Sequence, residues 1–218
     1  AHLSAHQGGR GVLISGVPGV DPADVVIIGG GVVGTNAAKM AVGMGAKVMI
    51  FDLSLPRLRY LDDLFGGAVT TRYSTAETLR KAICRADMVV GAVLIPGASA
   101  PKLIQRSMLA DMKIGSVLVD VAIDQGGCSE TSHPTTHEDP TYVIDGVVHY
   151  CVANMPGAMP RTSSEALNNA TLPHVMALAN KGIAALHDDE HLARGLNVAK
   201  GELVHPAVKE ALSSLSAA

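Results

Sequence analysis

Short runs of apolar residues alternate with longer mixed stretches along most of the chain. Uninterrupted Val, Ile and Leu over a few positions is typical of strands that are buried on both faces of a parallel sheet. A short strand framed by turns is expected within residues 8–19. The apolar runs then predict six strands, at 25–28, 47–51, 68–73, 88–93, 116–122 and 147–152.

The stretches between these strands predict four helices, at 35–44, 55–64, 75–85 and 100–112. Ser74 or Thr75 is the expected N-cap of the third helix. Strands that alternate with helices imply right-handed crossovers and a parallel sheet with helices on both faces. The predicted fold class is therefore α/β, a doubly wound parallel sheet of the Rossmann type.

The pattern changes after Pro160, where no strand is evident. Thr162 and Glu165 have the spacing of a capping box, which predicts that a helix starts at Thr162. A second helix is predicted at 171–186, with Pro173 near its start, where a missing N–H costs little. Shorter helical pieces are expected at 188–196 and 206–215. We therefore predict an α/β domain at 1–160 and a helical segment at 161–218.

Composition narrows the class of protein. Apolar residues make up 48% of the chain and charged residues 17%, which excludes a disordered chain. A net charge of −3 argues against binding to nucleic acid or to an anionic membrane. No membrane span or signal peptide is visible, and the three cysteines are expected to be reduced thiols. A cytoplasmic location is expected.

Glycines mark the first candidate site. Gly29, Gly31 and Gly34 fit the pattern G-x-G-x-x-G between a predicted strand and a predicted helix. In that context the first glycine permits a tight turn, the second lets the backbone approach a pyrophosphate, and the third lets the helix pack closely on the sheet. An ordinary Gly-rich turn is the alternative.

An acid follows at the end of the next strand. A carboxylate at Asp52 can accept hydrogen bonds from both ribose hydroxyls of an adenosine and would repel the 2′-phosphate of NADP, so NAD is the predicted cofactor. The alternative is that Asp52 only caps the next helix. Arg57 could flank the adenosine, or could be a solvated surface residue.

Ligands of open parallel sheets bind beyond the carboxyl ends of the strands. That rule nominates three loops with Gly or Pro, at 91–97, 121–127 and 153–157. Cys128, His133 and His137 have a spacing found in zinc sites, but no fourth ligand is obvious, and no metal is expected.

Six motifs at 16–20, 29–34, 91–97, 119–128, 149–157 and 166–173 together resemble the L-alanine dehydrogenase family, and the resemblance covers essentially the whole chain. The NAD-binding subunit of transhydrogenase shares the glycine loop but differs in sequence at 124–127 and 154–156. A non-catalytic NAD-binding module, such as that subunit or a redox sensor, stays open as the alternative function.

The resemblance implies reversible oxidative deamination of L-alanine to pyruvate and ammonia, with hydride transfer to NAD. It implies pyrophosphate contacts at Gly29, Gly31, Val32 and Gly34, ribose contacts at Asp52 and Arg57, and an adenine side lined by Ser74, Val93 and Leu94. It places Val121, Ala122, Ile123, Asp124, Val152, Ala153, Asn154 and Met155 along the nicotinamide half. Asp124 is the expected catalytic residue, because a carboxylate there could orient the substrate ammonium, stabilise iminium-like charge or, if buried, transfer a proton.

In the resembled family, a segment before the glycine loop builds most of the substrate domain and supplies the Lys, His and Arg that handle the substrate. Those residues are not found in these 218, and the helices after Pro160 are expected to belong to that second domain. We therefore expect the chain to be a cofactor-binding portion that binds NAD but does not turn over alanine alone. The family forms homo-hexamers, so a homo-oligomer is the expected assembly.

Overall fold

The structure is a computed structural model that describes residues 1–94 and 100–215. Ile95, Pro96 and Gly97, from one predicted strand-end loop, lie outside the described residues. The described chain divides into two compact units, one of residues 1–94 and 100–155 and one of residues 156–215. The predicted assignment of 1–160 and 161–218 to two functional domains stays a prediction.

The first unit contains one seven-stranded sheet with the order β3-β2-β1-β4-β5-β7-β6. The strands are β1 Asp24–Ile28, β2 Lys47–Asp52, β3 Val69–Tyr73, β4 Met88–Gly91, β5 Val117–Asp120, β6 Thr141–Ile144 and β7 Val147–Tyr150. All neighbours pair in parallel except β6, which runs antiparallel to β7. The predicted doubly wound α/β fold is thus confirmed.

The edge strand β6 is absent from the six predicted strands. Asp145 and Gly146 connect it to β7 with φ angles of 51° and 80°. Two successive residues at positive φ form the turn that suits a two-residue hairpin, and Asp-Gly is a favoured pair for it. That dipeptide between two apolar runs is the sequence signal that predicts β6.

Helices cover both faces of the sheet. In the first unit they are α1 Val32–Gly43, α2 Leu55–Phe65, α3 Ala76–Ile83 and α4 Arg106–Leu109. Alternate strand residues point to opposite faces, so Ile27 and Ile50 pack with Ala38 of α1, while Val26 and Phe51 pack with Leu79 of α3 on the other side. Because β1, β2, β3, β4, β5 and β7 pair in parallel, their carboxyl ends lie along one edge of the sheet.

Two predictions for this unit are wrong in detail. The helix expected at 100–112 is reduced to α4, because the amides of Ala100, Leu103 and Ile104 donate to carbonyls of residues 125 and 128 instead of forming helical turns. The strand expected within 8–19 is only an isolated bridge between Val17 and Val20. The expected cap of α3 is confirmed, since Thr75 accepts a hydrogen bond from the Thr78 amide.

The second unit has the helices α5 Pro160–Lys181, α6 Ala185–Asp188, α7 Glu190–Ala193 and α8 Pro206–Leu215. The prediction that a helix starts at Thr162 is wrong, because Pro160, whose fixed φ suits the first turn, starts α5 two residues earlier. The predicted start near Pro173 is also wrong. This proline lies inside α5, where the Thr171 hydroxyl adds a bond to the Leu167 carbonyl.

The second unit also contains a short hairpin, β8 Val198–Ala199 and β9 Glu202–Leu203, where only helices were expected. Lys200 and Gly201 form its turn at φ angles of 51° and 83°, which again suits a two-residue hairpin. Across the described part of both units, no helix combines the length and apolar character that a membrane span requires.

Candidate functional site

The three motif glycines meet different steric demands. At Gly29 (φ 99°), a Cβ would lie 2.6 Å from the Ala92 carbonyl oxygen, and at Gly34 it would lie 1.8 Å from the Gly29 carbonyl oxygen. Gly31 has an ordinary φ of −67°, and a Cβ there would meet only open space. Gly29 and Gly34 are therefore required by the fold itself, whereas the space beside Gly31 is left clear for a ligand.

Asp52 ends β2 beside the glycine turn. Its Oδ2 accepts a hydrogen bond from the Gly30 amide at 2.7 Å, and its Oδ1 accepts one from the Ser54 amide at 2.8 Å. The half-buried carboxylate thus orders both the turn and the approach to α2. Each oxygen keeps acceptor capacity for a ligand hydroxyl.

Arg57 is half-buried and bonded to the same turn. Its Nε donates to the Gly30 carbonyl, and its guanidinium donates to Thr35 Oγ1 at 2.8 Å. The Thr35 hydroxyl in turn donates to the Gly31 carbonyl at 2.7 Å. Gly30 is therefore held by an acid on its N–H and by a cation on its C=O, so Arg57 is not a freely solvated residue.

A cavity of about 780 Å³ opens at the carboxyl ends of the strands. Its walls combine an apolar surface with a few polar groups, which is the usual composition of a small-molecule site. Seven residues predicted from the sequence to contact the cofactor line this cavity: Gly29, Gly31, Val32, Asp52, Ser74, Val93 and Leu94.

Gly34 and Arg57 are not among the residues that line this cavity; they contact the glycine turn behind it. The two segments expected along the nicotinamide half, 121–124 and 152–155, also do not line it. They do meet each other, because the Asn154 amide donates to Asp124 Oδ1 at 3.4 Å. Asp124 is exposed, so the burial on which a proton-transfer role depends is not observed.

Two charged residues near these loops, Lys102 and Asp120, are not among the site residues predicted from the sequence. Lys102 lines the cavity, and its Nζ donates to the Gly126 and Gly127 carbonyls. Asp120 is fully buried at the end of β5. An acid that closes an apolar strand, as Asp52 also does, is the signal that points to Asp120, whereas no pattern in the sequence distinguishes Lys102.

The zinc-like spacing does not produce a convergent site. The His133 ring stacks on Tyr142 with centroids 3.7 Å apart, and His137 Nε2 lies 3.1 Å from the Asn154 carbonyl. Cys128 is fully buried, and this burial raises the pKa of its thiol, which keeps it protonated. Within residues 1–94 and 100–215, no three acid, His or Cys side chains are grouped to hold a metal ion.

Known proteins provide an independent comparison. The sequence model described as "Alanine dehydrogenase/PNT, C-terminal domain" matches residues 1–206. An alanine dehydrogenase of Halomonas elongata is 64% identical over 210 residues, which are 96% of this chain and 57% of that protein. The chain thus spans little more than half of that relative's length.

Solved structures agree with the sequence comparison. A structure of L-alanine dehydrogenase superposes with a TM-score of 0.90 at 57% identity, covering 98% of this chain and 59% of that one. A transhydrogenase from Sinorhizobium meliloti matches less well, with a TM-score of 0.67 and 28% identity over 86% of this chain and 51% of that one. The expected cofactor, NAD, is in keeping with these matches, and the chain belongs to the alanine dehydrogenase/PNT family.

Proposed function

We propose that this chain is the NAD-binding portion of an alanine dehydrogenase and that the cavity beside the glycine turn takes the adenosine and pyrophosphate of NAD. The observation that carries the proposal is the open space beside Gly31, which lines the cavity next to a turn that the Asp52 carboxylate holds in place.

The pyrophosphate is assigned to the start of α1. Gly31 is the N-cap of this helix, and no side chain caps it. The first amides of α1 therefore remain available as donors, and the positive end of the helix dipole favours an anion there. Gly29, Val32 and Gly34 complete this turn.

The adenosine ribose is assigned to Asp52. A carboxylate that is already oriented by two backbone amides can accept bonds from both ribose hydroxyls at little conformational cost. The same charge repels a 2′-phosphate, so NAD is favoured over NADP. Arg57 supports the site by fixing the turn, since its Nε donates to the Gly30 carbonyl and its Nη2 donates to Thr35 Oγ1.

The nicotinamide half is assigned to the paired segments 121–124 and 152–155. When bound, NAD would accept the hydride from Cα of L-alanine, the nitrogen would lose a proton, and water would hydrolyse the resulting imine to pyruvate and ammonia. The exposed Asp124 carboxylate is suited to orienting the substrate ammonium and stabilising iminium-like charge. The contact with the Asn154 amide supports this position.

The alternative is a non-catalytic NAD-binding module, and the 28% identity to a transhydrogenase structure is the observation in its favour. The 64% identity to an alanine dehydrogenase supports the dehydrogenase more strongly. A cytoplasmic location stays a prediction from the sequence, and a homo-oligomer stays a prediction from the family resemblance. Size measured by light scattering tests the assembly.

The proposal is tested by calorimetric titration of NAD into the chain and into Gly31→Ala. We expect saturable binding of one NAD per chain, and at least about tenfold weaker binding by the variant, because a methyl group would fill the space meant for the pyrophosphate. Lack of NAD binding by the wild-type chain would refute the proposal. NADH absorbance with added alanine is expected to stay flat, because the matched residues are 57% of the Halomonas elongata relative and the family resemblance places the substrate-handling groups in the remainder.

A further inference from the structure

A single buried carboxylate ties together both ends of the loop that carries Asp124. Asp120 Oδ1 accepts a hydrogen bond from the Ala122 amide at 3.1 Å, at the start of the loop. Its Oδ2 accepts bonds from the Cys128 amide at 2.8 Å and from the Ser132 hydroxyl at 2.6 Å, at the other end. A fully buried carboxylate needs such donors. Movement of this loop would remove them and leave the Asp120 carboxylate buried without hydrogen bonds, which is energetically costly.

Lys102 forms hydrogen bonds with the same loop. Its Nζ donates to the Gly127 carbonyl at 3.0 Å, and the amide of the same peptide, that of Cys128, donates to Asp120. The Gly127–Cys128 peptide is therefore polarised between a cation on its C=O and an anion on its N–H. Charge-assisted bonds of this kind are stronger than neutral ones.

The packing around this peptide leaves little room for another arrangement. Gly127 has a φ of 76°, and a Cβ on it would lie 2.8 Å from Asp120 Oδ2. A Cβ on Gly91 of β4 would lie 2.2 Å from the Cys128 sulfur. The loop is thus fixed against the neighbouring strand as well as by charge.

We infer that Asp120 and Lys102 are positioning residues that hold Asp124 in place for the nicotinamide half of NAD; the inference rests on the proposed function. The arrangement parallels the one at Gly30, where Asp52 holds the N–H and Arg57 holds the C=O. Asp52 and Arg57 hold the glycine turn, whereas Asp120 and Lys102 hold the loop that carries Asp124. Removing Asp120 or Lys102 therefore loosens the nicotinamide half while the adenosine half stays ordered.

The test compares a ligand that has the nicotinamide with one that lacks it. NADH is titrated by its own fluorescence into the wild-type chain, Lys102→Met and Asp120→Asn, and ADP-ribose is titrated by competition. Lys81→Met, which removes an exposed lysine that does not line this cavity, is the control. Because Lys102 is exposed, its variant keeps the test informative if Asp120→Asn fails to fold.

We expect Lys102→Met to weaken NADH binding about threefold to tenfold while ADP-ribose affinity stays within about twofold. Folded Asp120→Asn is expected to show the same selectivity with a larger loss. An equal loss for both ligands would overturn the inference, because it would indicate direct contact with the phosphates or a general structural role. Unchanged NADH affinity in Lys102→Met would also overturn it. If wild type binds neither ligand, the proposed function itself fails.

Discussion

The Gly30 amide donates a 2.7 Å hydrogen bond to Asp52 Oδ2, so the glycine turn after β1 and the acid at the end of β2 form one unit. The two strands are parallel neighbours in which Ile28 lies opposite Phe51. Their carboxyl ends therefore lie side by side, and residues distant in sequence meet. The conformation of the turn and the position of the acid cannot change independently.

Substituting Asp52 is expected to affect stability and cofactor choice together. Asp52→Ala leaves the Gly30 and Ser54 amides without their acceptor, which should cost about 1–3 kcal/mol of unfolding free energy. NAD affinity should fall about tenfold, and the preference for NAD over NADP should shrink because the repelling charge is gone. Calorimetric titration and chemical denaturation measure the two effects, with exposed Asp63→Ala as control. Wild-type NAD affinity in Asp52→Ala would show that this carboxylate does not hold the ribose.

The second and third motif glycines are expected to respond differently to the same added methyl group. Gly34→Ala places a Cβ 1.8 Å from a backbone oxygen, so the unfolding free energy should drop by about 1–3 kcal/mol or more. Gly31→Ala adds a Cβ in open space at an ordinary φ, so its thermal midpoint should stay near that of wild type while NAD binding weakens at least about tenfold. Thermal unfolding of both variants without ligand checks this contrast. A large loss of stability in Gly31→Ala would contradict it.

Arg57 is expected to contribute through the turn. Arg57→Met removes the bonds to the Gly30 carbonyl and to Thr35, so NAD affinity should fall about threefold to tenfold. Arg59→Met, an exposed arginine on the same helix, is the matched control and should bind NAD like wild type. Calorimetric titration of NAD into both variants gives the two dissociation constants that test this expectation. Equal affinities would mean that the guanidinium is dispensable to the turn.

Buried His149 is expected to make stability depend on pH. Burial lowers the pKa of its imidazole, while Nδ1–H donates to the Val147 carbonyl and Nε2 accepts from the Thr131 hydroxyl. As the pH falls below the ordinary value near 6.5, the unfolded chain takes up a proton that the folded chain does not, so the unfolding free energy decreases. The contribution of His149 is fully present above that pH.

Urea denaturation at pH 7 and at pH 5 measures this effect as the difference between the two unfolding free energies. Wild type should lose more unfolding free energy between the two values than His149→Gln, which cannot titrate. His187→Gln, at an exposed histidine, should lose as much as wild type. If His149→Gln shows the full wild-type loss, the buried imidazole is not the source of the pH dependence.

Much of the fold is predictable because burial on both faces of a sheet leaves a simple pattern. The run 25–28 and the glycines that follow it identify β1, the turn and α1 without tertiary information. The helix expected at 100–112 is mostly absent because its amides bond to a distant segment, 125–128, which no local pattern records. Long-range pairing overrides local helix propensity there.

The candidate site divides in the same way. Gly29, Gly31 and Asp52 carry a recognisable spacing, and all three line the cavity. The Asp120–Lys102 arrangement is not visible in sequence, because its partners are backbone groups brought together only by the folded loop. A sequence motif records the spacing of side chains, whereas Asp120 and Lys102 both bond to the backbone peptide between Gly127 and Cys128.

A crystal structure of this chain with NAD bound would locate the cofactor directly. We expect the pyrophosphate at Gly31 and the first amides of α1, the adenosine ribose hydroxyls on Asp52, and the nicotinamide beside Asp124 and Asn154. NAD seated elsewhere, or with its ribose away from Asp52, would contradict the assignment of this cavity as the cofactor site.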